Sequence, residues 1–582
     1  GAPLAVFRAL EKKGLVAVHD REALRRPDPA TAIGRTDAPP ALTAEQQDAL
    51  EAIRQGIASG AFSPFLLHGV TGSGKTEVYI HAIAEALRRG GCAIYLVPEI
   101  ALTPQLVGRL ESRFAPEEIA VLHSGIGAAM RYDQWRRIGR GDARIVVGAR
   151  SAVFAPVRDL RLIIVDEEHD TSYKQDERMP YNARDLAVVR AQQRGAAVVL
   201  GSATPGLQSC YNTREKRFGY LSLTRRVEQR ELPHVEIVDM KGERDPNGRV
   251  RPLSRLLVDQ IGRTLEAGKQ TLLFLNRRGF NTYHYCGDCA HVFRCLNCAV
   301  SLTHHLSEGT LRCHYCDFAV KAPPSCPGCG GGRILSYGLG TERLAAEVQA
   351  LFPRARIARM DSDTTSARGS HERILAALGR GEIDILVGTQ MITKGHDFPD
   401  VTLVGVVSAD TTLNMPDFRA AERTFQVLTQ VSGRSGRGEQ PGTVVIQTLN
   451  PGHYAIRRSS AHDFTGFYED EIALRRDLQY PPFSRMINLI VSGTNRERVE
   501  KGAQRLGQRA KRLAAGADSR ARPTVTGPME APLGKVRGRY RWQLLVRGKQ
   551  VRVLHAFVRR LVEGADMPGC EIRVDVDPVN FM

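Results

Sequence analysis

Gly69-Val-Thr-Gly-Ser-Gly-Lys75-Thr76 follows the apolar run Phe65-Leu-Leu-His68 and precedes the periodic stretch EVYIHAIAEALRR (77–89), and this succession of strand, glycine-rich loop and helix decides the fold. Glycines remove the Cβ atoms that would hold a backbone away from a phosphate, and the following helix N-terminus adds partial positive charge. Gly69, Thr71, Gly72, Ser73, Gly74, Lys75 and Thr76 are therefore the expected nucleotide contacts, Lys75 reaching the β and γ phosphates and Thr76 ligating Mg2+. The bland alternative is an ordinary turn in a chain with 55 glycines. The flanking strand and helix argue against it, so ATP binding is expected.

Working outward, the strand-like RLIIV (161–165) runs into Asp166-Glu167-Glu168-His169. Alone, four polar residues after a strand are a solvated loop more often than a site. Beside a phosphate loop they fit a second catalytic strand: Asp166 in the Mg2+ shell, and Glu167 orienting or deprotonating the attacking water. Hydrolysis is then expected as well as binding.

The strings FLLHG, AIYLVPE, RIVVGA, RLIIVDEE and AAVVLGSATP alternate with helical stretches, the pattern of a parallel α/β sheet, and assign residues 42–235 to a first lobe. QTLLFLNRRG, RIARMD, DILVGTQ, VTLVGVVSAD and GTVVIQTLN repeat the pattern over 236–284 and 338–450. Between the first two of these strands lies a segment, 285–337, dense in Cys, Gly and Pro. Residues 451–582 combine an Arg-rich helical stretch with strand-like EIRVDVDPVNF and read as an α+β C-terminal domain. At the other end, 1–25 read as a helix and short strand, and 26–41 as a Pro-rich linker. Gly1, in place of an initiating Met, points to further chain upstream.

The chain has 582 residues, 42% hydrophobic and 25% charged, too long for one core and ordinary for a globular protein. No apolar run approaches the roughly 18 residues that cross a bilayer, and no secretory signal precedes the first lobe, so a cytoplasmic address is expected. A net charge of +18 favours a polyanionic partner over a merely soluble surface once a motor site is present.

GVTGSGKT, DEEH, GSATP (201–205) and QVSGRSGR (430–437), in this order, resemble the motor of superfamily 2 helicases, whose two RecA-like lobes close on ATP. That resemblance implies Arg434 and Arg437 as arginine fingers meeting the γ-phosphate on closure. VPEIALTPQ, ARSAVFAP, DEEHDTSYKQ, NRRGF and GTQMITKGHDFPDV narrow it to the primosomal replication-restart helicases, over residues 42–582. This resemblance further implies Gln46 as the adenine-reading residue, and Gly395 and Asp397 as motor residues near the nucleotide. It also implies 3′ to 5′ translocation, fork recognition, unwinding of the lagging arm and initiation of primosome assembly. Implied partners are forked and single-stranded DNA, single-stranded DNA-binding protein and primosome proteins, met by a monomer near the nucleoid. An aromatic-rich loop that couples DNA to ATP is represented by Tyr173, Lys174, Gln175 and Tyr181, with Met179 where an aromatic is common. Ser432 and Ser435 replace usual alanines, with little change expected. In the family, residues 1–25 would be the remnant of a winged helix that follows a domain capturing 3′ ends.

Eight of eleven cysteines form four C-x2-C knuckles, Cys286/Cys289, Cys295/Cys298, Cys313/Cys316 and Cys326/Cys329, which suits two structural zinc ions. Disulfides are disfavoured beside a cytosolic ATPase. Spacing leaves the pairing open; the resemblance implies that outer knuckles share one Zn2+ and inner knuckles the other. Two four-thiolate sites, each carrying −2, would lower the net charge to about +14. The family module meets DNA and primosome partners, with which Arg294, Arg312 and Lys321 are compatible. RGRYRWQ (537–543) suits phosphate contact with stacking by Tyr540 and Trp542, and equally an amphipathic surface strand; the resemblance tilts Arg539 and Gln543 towards partner contact. Two alternatives to the motor remain: a fork-binding scaffold with little motor activity, against which the intact Lys75, Asp166 and Glu167 argue, and a branch migrator or restriction translocase, against which the cysteine insertion argues.

Overall fold

The computed structural model describes residues 4–17, 40–98, 103–177, 179–227, 232–245, 251–275, 284–289, 291–298, 300–305, 309–313, 315–316, 318–336, 340–361, 364, 370–389, 398–435, 442–517 and 522–581. The residues read as linker lie outside these almost entirely, and of the residues read as winged-helix remnant mainly the helix Leu4–Lys12 is described.

The first lobe is a seven-stranded parallel sheet in the order Ile119–Leu122, Ile145–Gly148, Cys92–Leu96, Leu160–Asp166, Ala197–Ser202, Ser63–Gly69, Gly219–Leu223. Its strands read as continuous apolar runs because both faces are covered. Successive residues point to opposite faces, so Ile94, Ile163 and Val198 pack towards Ala183, Ala187 and Ala191 of helix Ala183–Arg194. Their neighbours Tyr95, Ile164 and Val199 pack towards Ile53, Tyr79 and Ile83. Because all strands run the same way, the loops after Gly69, Asp166 and Ser202 emerge at one edge, where α/β sheets bind ligands.

The second lobe is a six-stranded parallel sheet: His234–Asp239, Thr443–Thr448, Val401–Ser408, Gln270–Leu275, Ile385–Gly388, Ile357–Met360. The edge strand His234–Asp239 was not among the strands named from sequence. Its composition, HVEIVD, is only partly buried and interrupts the apolar run with charge. The cysteine-rich insertion leaves after Leu275 and returns before Ile357, and is built from short antiparallel pieces, Thr303–His305, Thr310–Arg312, Ala319–Lys321 and the pair His284–Cys286 with Ile334–Ser336.

After the second lobe, helices Tyr454–Ser460 and Phe464–Asp477 return to the first: Phe467 stacks on Phe425 at 4.3 Å, and both belong to the core that holds Ile163 and Val198. A four-stranded antiparallel sheet then follows, ordered Thr524–Val536, Arg539–Gly548, Arg485–Gly493, Glu571–Val576. Helices Arg496–Ala515 and Val551–Glu563 cover it through Val499, Leu506, Leu554 and Leu561. Among the described residues no helix is long and apolar enough to cross a membrane.

Candidate functional site

Helix Lys75–Arg88 starts directly after the loop, with Gly74 as N-cap and no side-chain cap. Gly72 and Gly74 have φ of 84° and 78°, the left-handed region that favours glycine. A Cβ on Gly74 would lie 2.3 Å from Gln46 Nε2, and one on Gly69 would lie 2.6 Å from Ser73 Oγ. Lys75 Nζ donates to Gly69 O at 2.7 Å, and Ser73 Oγ is buried without a hydrogen-bond partner among the described residues. A glycine cradle, an ammonium and a buried donor fit the phosphates of a nucleotide. Gln46 closes the cradle from behind. It completes a capping box with Thr43, and its Nε2 donates to Ser73 O at 2.8 Å. The structure thus places this glutamine on the phosphate loop itself.

Asp166 ends its strand between two tyrosines: Tyr79 donates to Oδ1 at 3.3 Å and Tyr95 to Oδ2 at 3.2 Å. Burial, and then the neighbouring charge of Glu167, push its carboxyl up to about 6, while Lys75 pulls the other way. Such a carboxyl is primed to gain from a cation. Glu167 has φ 45°, uncommon for a residue with a Cβ, and its buried Oε2 has no hydrogen-bond partner among the described residues, His169 Nδ1 standing 3.6 Å away. The strained backbone separates the roles within the tetrad, since Glu168 turns away from the cleft. It accepts from Gly206 N at 2.5 Å, from Ser209 Oγ at 2.8 Å and from Arg184 Nη1 at 3.3 Å.

His169 joins three motifs. The Gln430 amide nitrogen lies 2.7 Å from Nε2 and can only donate, so the imidazole proton sits on Nδ1, 2.7 Å from Ser202 Oγ. The sequence reading gave Glu168, His169, Ser202 and Gln430 no roles, although it quoted the strings that hold them. A contact spanning 261 residues leaves no local periodicity to find.

The second lobe closes on the loop. A Cβ on Gly433 would lie 3.2 Å from Thr71 Oγ1, and Glu422 Oε1 accepts from Leu207 N, at the start of helix Leu207–Arg214, at 2.9 Å. Arg434 follows; burial pulls its guanidinium down to about 10, and Glu167 opposes the shift. Ser435 donates to Thr402 O at 2.8 Å, whereas Ser432 Oγ is buried without a hydrogen-bond partner among the described residues. Arg437, Gly395 and Asp397 lie outside the described residues, as does NRRGF.

The four knuckles converge into two clusters, Cys286, Cys289, Cys326 and Cys329, and Cys295, Cys298, Cys313 and Cys316, with the sulfurs of each within 4.8 Å of one another. Outer and inner knuckles pair separately, as the resemblance implies. Cys286–Cys329, Cys289–Cys326 and Cys295–Cys316 are 3.5 to 3.6 Å apart between sulfurs. Ligands on a tetrahedral zinc would stand about 3.8 Å apart at Zn–S of about 2.3 Å. Backbone N–H groups of Asp288, Asn297, Gly328 and Gly331 donate to knuckle sulfurs at 3.3 to 3.4 Å, which favours thiolates. The donor set fits two closed zinc sites. Tyr315, between the inner ligands, packs among Phe418, Tyr480 and Phe581. Arg294 is exposed and reaches Asn414 Oδ1 at 3.4 Å; Lys321 is exposed and Arg312 half-buried.

Beyond the tetrad, Tyr173 is buried and its hydroxyl reaches Asp166 O at 2.7 Å, while Met179 is 70% exposed. Tyr181 packs edge-on against Phe154 at 5.1 Å. In strand Arg539–Gly548, Trp542 and Gln543 are buried, Trp542 within the domain core, so that indole offers no free face for stacking. Arg539 pairs with Glu571 at 2.9 Å.

Four family models match this chain: DEAD/DEAH box helicase over residues 43–213, helicase conserved C-terminal domain over 330–439, the PriA DNA helicase Cys-rich region over 295–321, and the primosomal protein N C-terminal domain over 476–579. Fold and site together define a DNA helicase, an enzyme that hydrolyses ATP. The replication restart protein PriA of Bacillus subtilis is 44% identical over 99% of this chain and 71% of its own length. The PriA of Synechocystis is 42% identical over 99% and 69%, and that of Treponema pallidum 42% over 93% and 80%. The chain belongs to the PriA family.

Proposed function

We propose that the chain is an ATP-dependent 3′ to 5′ DNA helicase that recognises stalled or abandoned replication forks, unwinds the lagging arm and starts primosome assembly. The observation that carries this is the cleft itself: Asp166 and Glu167 on one lobe, Arg434 electrostatically coupled to Glu167 from the other, and Gly433 against the phosphate loop. Family membership supports the restart role.

Gly69, Thr71, Gly72, Ser73 and Gly74 wrap the phosphates, and Lys75 leaves the Gly69 carbonyl to reach them. Mg2+, held by Thr76 and Asp166, would supply charge neutralisation at the β and γ oxygens. Gln46 reads adenine, with Gly395 and Asp397 near the nucleotide. Glu167, whose Oε2 has no hydrogen-bond partner among the described residues, orients the attacking water and takes its proton. Arg434 and Arg437 meet the transferring phosphoryl group when the lobes close. Closure is then tied to DNA movement, because Gln430, His169 and Ser202 form one hydrogen-bonded line across the cleft. The eight knuckle cysteines would hold two Zn2+ ions, which would keep the cysteine module rigid as a DNA- and partner-facing element. Forked and single-stranded DNA, single-stranded DNA-binding protein and primosome proteins are the partners, and a cytoplasmic, nucleoid-associated monomer is the working form.

The test is ATP turnover with no DNA, with single-stranded DNA and with a fork, followed by unwinding of duplexes tailed at either end. Stimulation by DNA and unwinding from a 3′ tail support the proposal. DNA binding without stimulated turnover replaces it with the scaffold reading.

A further inference from the structure

The segment after the hydrolytic carboxylates is held from two sides. On one, Tyr173 is buried with its hydroxyl at the carbonyls of Asp166 (2.7 Å) and Leu96 (3.0 Å). On the other, Lys174, the first extended residue after the 3-10 turn Thr171–Tyr173, turns to the C-terminal domain. Its Nζ lies 2.6 Å from Asp575 Oδ1, with side chains 3% and 7% exposed, and donates to Val576 O at 2.9 Å. One strand residue earlier on the same face, Arg573 Nη1 donates to Asp176 O at 2.8 Å. The backbone of the segment is fixed from within the first lobe by Arg150, whose Nη1 donates to Lys174 O at 2.6 Å.

A buried ion pair adds little net stability, because desolvation of both charges offsets their attraction, yet it tolerates almost no change in geometry. The chain Asp575, Lys174, Tyr173, Asp166 is a continuous path of short contacts from the last strand, Glu571–Val576, to the strand that ends in Asp166. The residues that follow Glu571–Val576 touch two more parts of the motor: Val579 O accepts from Arg423 of the second lobe, and Phe581 packs on Tyr315 of the cysteine module at 5.0 Å.

We propose that Asp575 and Arg573 are positioning residues that couple DNA binding to ATP hydrolysis, by bracing the loop after Asp166-Glu167 against the C-terminal domain. This rests on the helicase reading above. A loop braced at one end transmits a push from DNA to the catalytic strand; a loop with a slack end absorbs it. The brace therefore acts on stimulation rather than on turnover itself.

The test compares the full chain with Asp575→Ala, Asp575→Asn and Arg573→Ala. ATP turnover is read with and without saturating oligo-dT, alongside oligo-dT affinity, ATP KM, Tm and hydrogen exchange of residues 170–177. The expected result for Asp575→Ala is DNA-free turnover, KM and affinity within roughly twofold of the parent, with stimulation reduced about fivefold or more. Loop exchange should accelerate in the same variant. Asp575→Ala leaves Lys174 buried and unpaired, so its fold is at risk. Arg573→Ala removes the contact to the Asp176 carbonyl and one positive charge near Asp575, leaves the Lys174–Asp575 pair in place, and carries the test instead, with a smaller loss in the same direction. Undiminished stimulation in the folded variants overturns the brace and leaves the helicase reading intact. Losses of stimulation matched by equal losses of Tm and DNA affinity also overturn it, since a merely structural role gives that pattern. A parent chain that DNA does not stimulate overturns the helicase reading, and the brace with it.

Discussion

The first lobe and the cysteine module both offer loop atoms to an ion, but they reach that state by opposite routes. In the lobe the core comes first. Two faces of a seven-stranded sheet bury residues such as Ile94, Ile163, Tyr95 and Ile164, each worth about 1.5–3 kcal/mol. The phosphate loop is then presented by a frame that exists without its ligand. In the module the strands are three residues long, and Cys295, Cys298 and Cys313 are themselves among the buried core. Its ligands form part of its core, beside Phe293, Val300, Leu302 and Leu311, so the metal should be part of folding rather than an addition to it. A site built on a frame can lose its ligand and keep its shape; a site built from its ligands cannot.

Lys75→Ala should sharpen that contrast most. Turnover should fall to the background of the assay, while Tm stays within a degree or two, because Lys75 holds a loop carbonyl and no core. A large loss of Tm would break the comparison. Glu167→Gln should lower kcat by about 10²–10⁴ with nucleotide binding retained, and may be checked by fluorescent-nucleotide titration alongside turnover. Cys313→Ser addresses the other side: zinc per chain should drop from two to one, and the module should become protease-sensitive while the first lobe still binds nucleotide. If zinc remains at two, the inner cluster is not a single four-thiolate site.

Asp166 gives a pH-dependent effect inside the frame. Its carboxyl is pushed up to about 6 in the fold, mainly by burial, against about 3.9 in an unfolded chain. Below both values the folded and unfolded chains are protonated alike, and nothing is lost. As pH rises through about 4 to 6 the unfolded chain ionises first, so stability falls and the full cost stands above about 6. Asp166→Asn should therefore raise the Tm of the nucleotide-free chain at pH 8 by on the order of 3–6 °C, with the gap closing towards pH 4. The smallest expected effect lies at Met179, 70% exposed in the loop that the family resemblance assigns to coupling DNA with ATP. Met179→Tyr restores a stacking face and should tighten oligo-dT binding by about 1 kcal/mol, close to fivefold, measured by anisotropy.

Much of the site was legible along the chain because the chemistry is local. Gly69 to Thr76 form a cradle from eight consecutive residues, and the positive φ of Gly72 and Gly74 is the reason for glycine there. Each C-x2-C knuckle is likewise a single turn. Strands buried on both faces announced themselves as apolar runs, while His234–Asp239, at an edge and half-wetted, did not. RGRYRWQ left a stacking surface and an amphipathic strand equally open by its composition, and strand alternation with the helices above it put Trp542 in the core.

What the sequence by itself determined is what depends on neighbours in the chain: the phosphate loop, the acidic tetrad, the metal-ligand knuckles and the α/β alternation. Tertiary structure decided which knuckles share a centre, that Glu168 serves the GSATP loop while Glu167 faces the cleft, that His169 meets Gln430 across two lobes, and that Lys174 finds its counter-charge on Asp575. The physical reason is the same in each case. These contacts join residues between 15 and 401 positions apart, and at such separations only the packed core, not the covalent chain, sets which atoms meet.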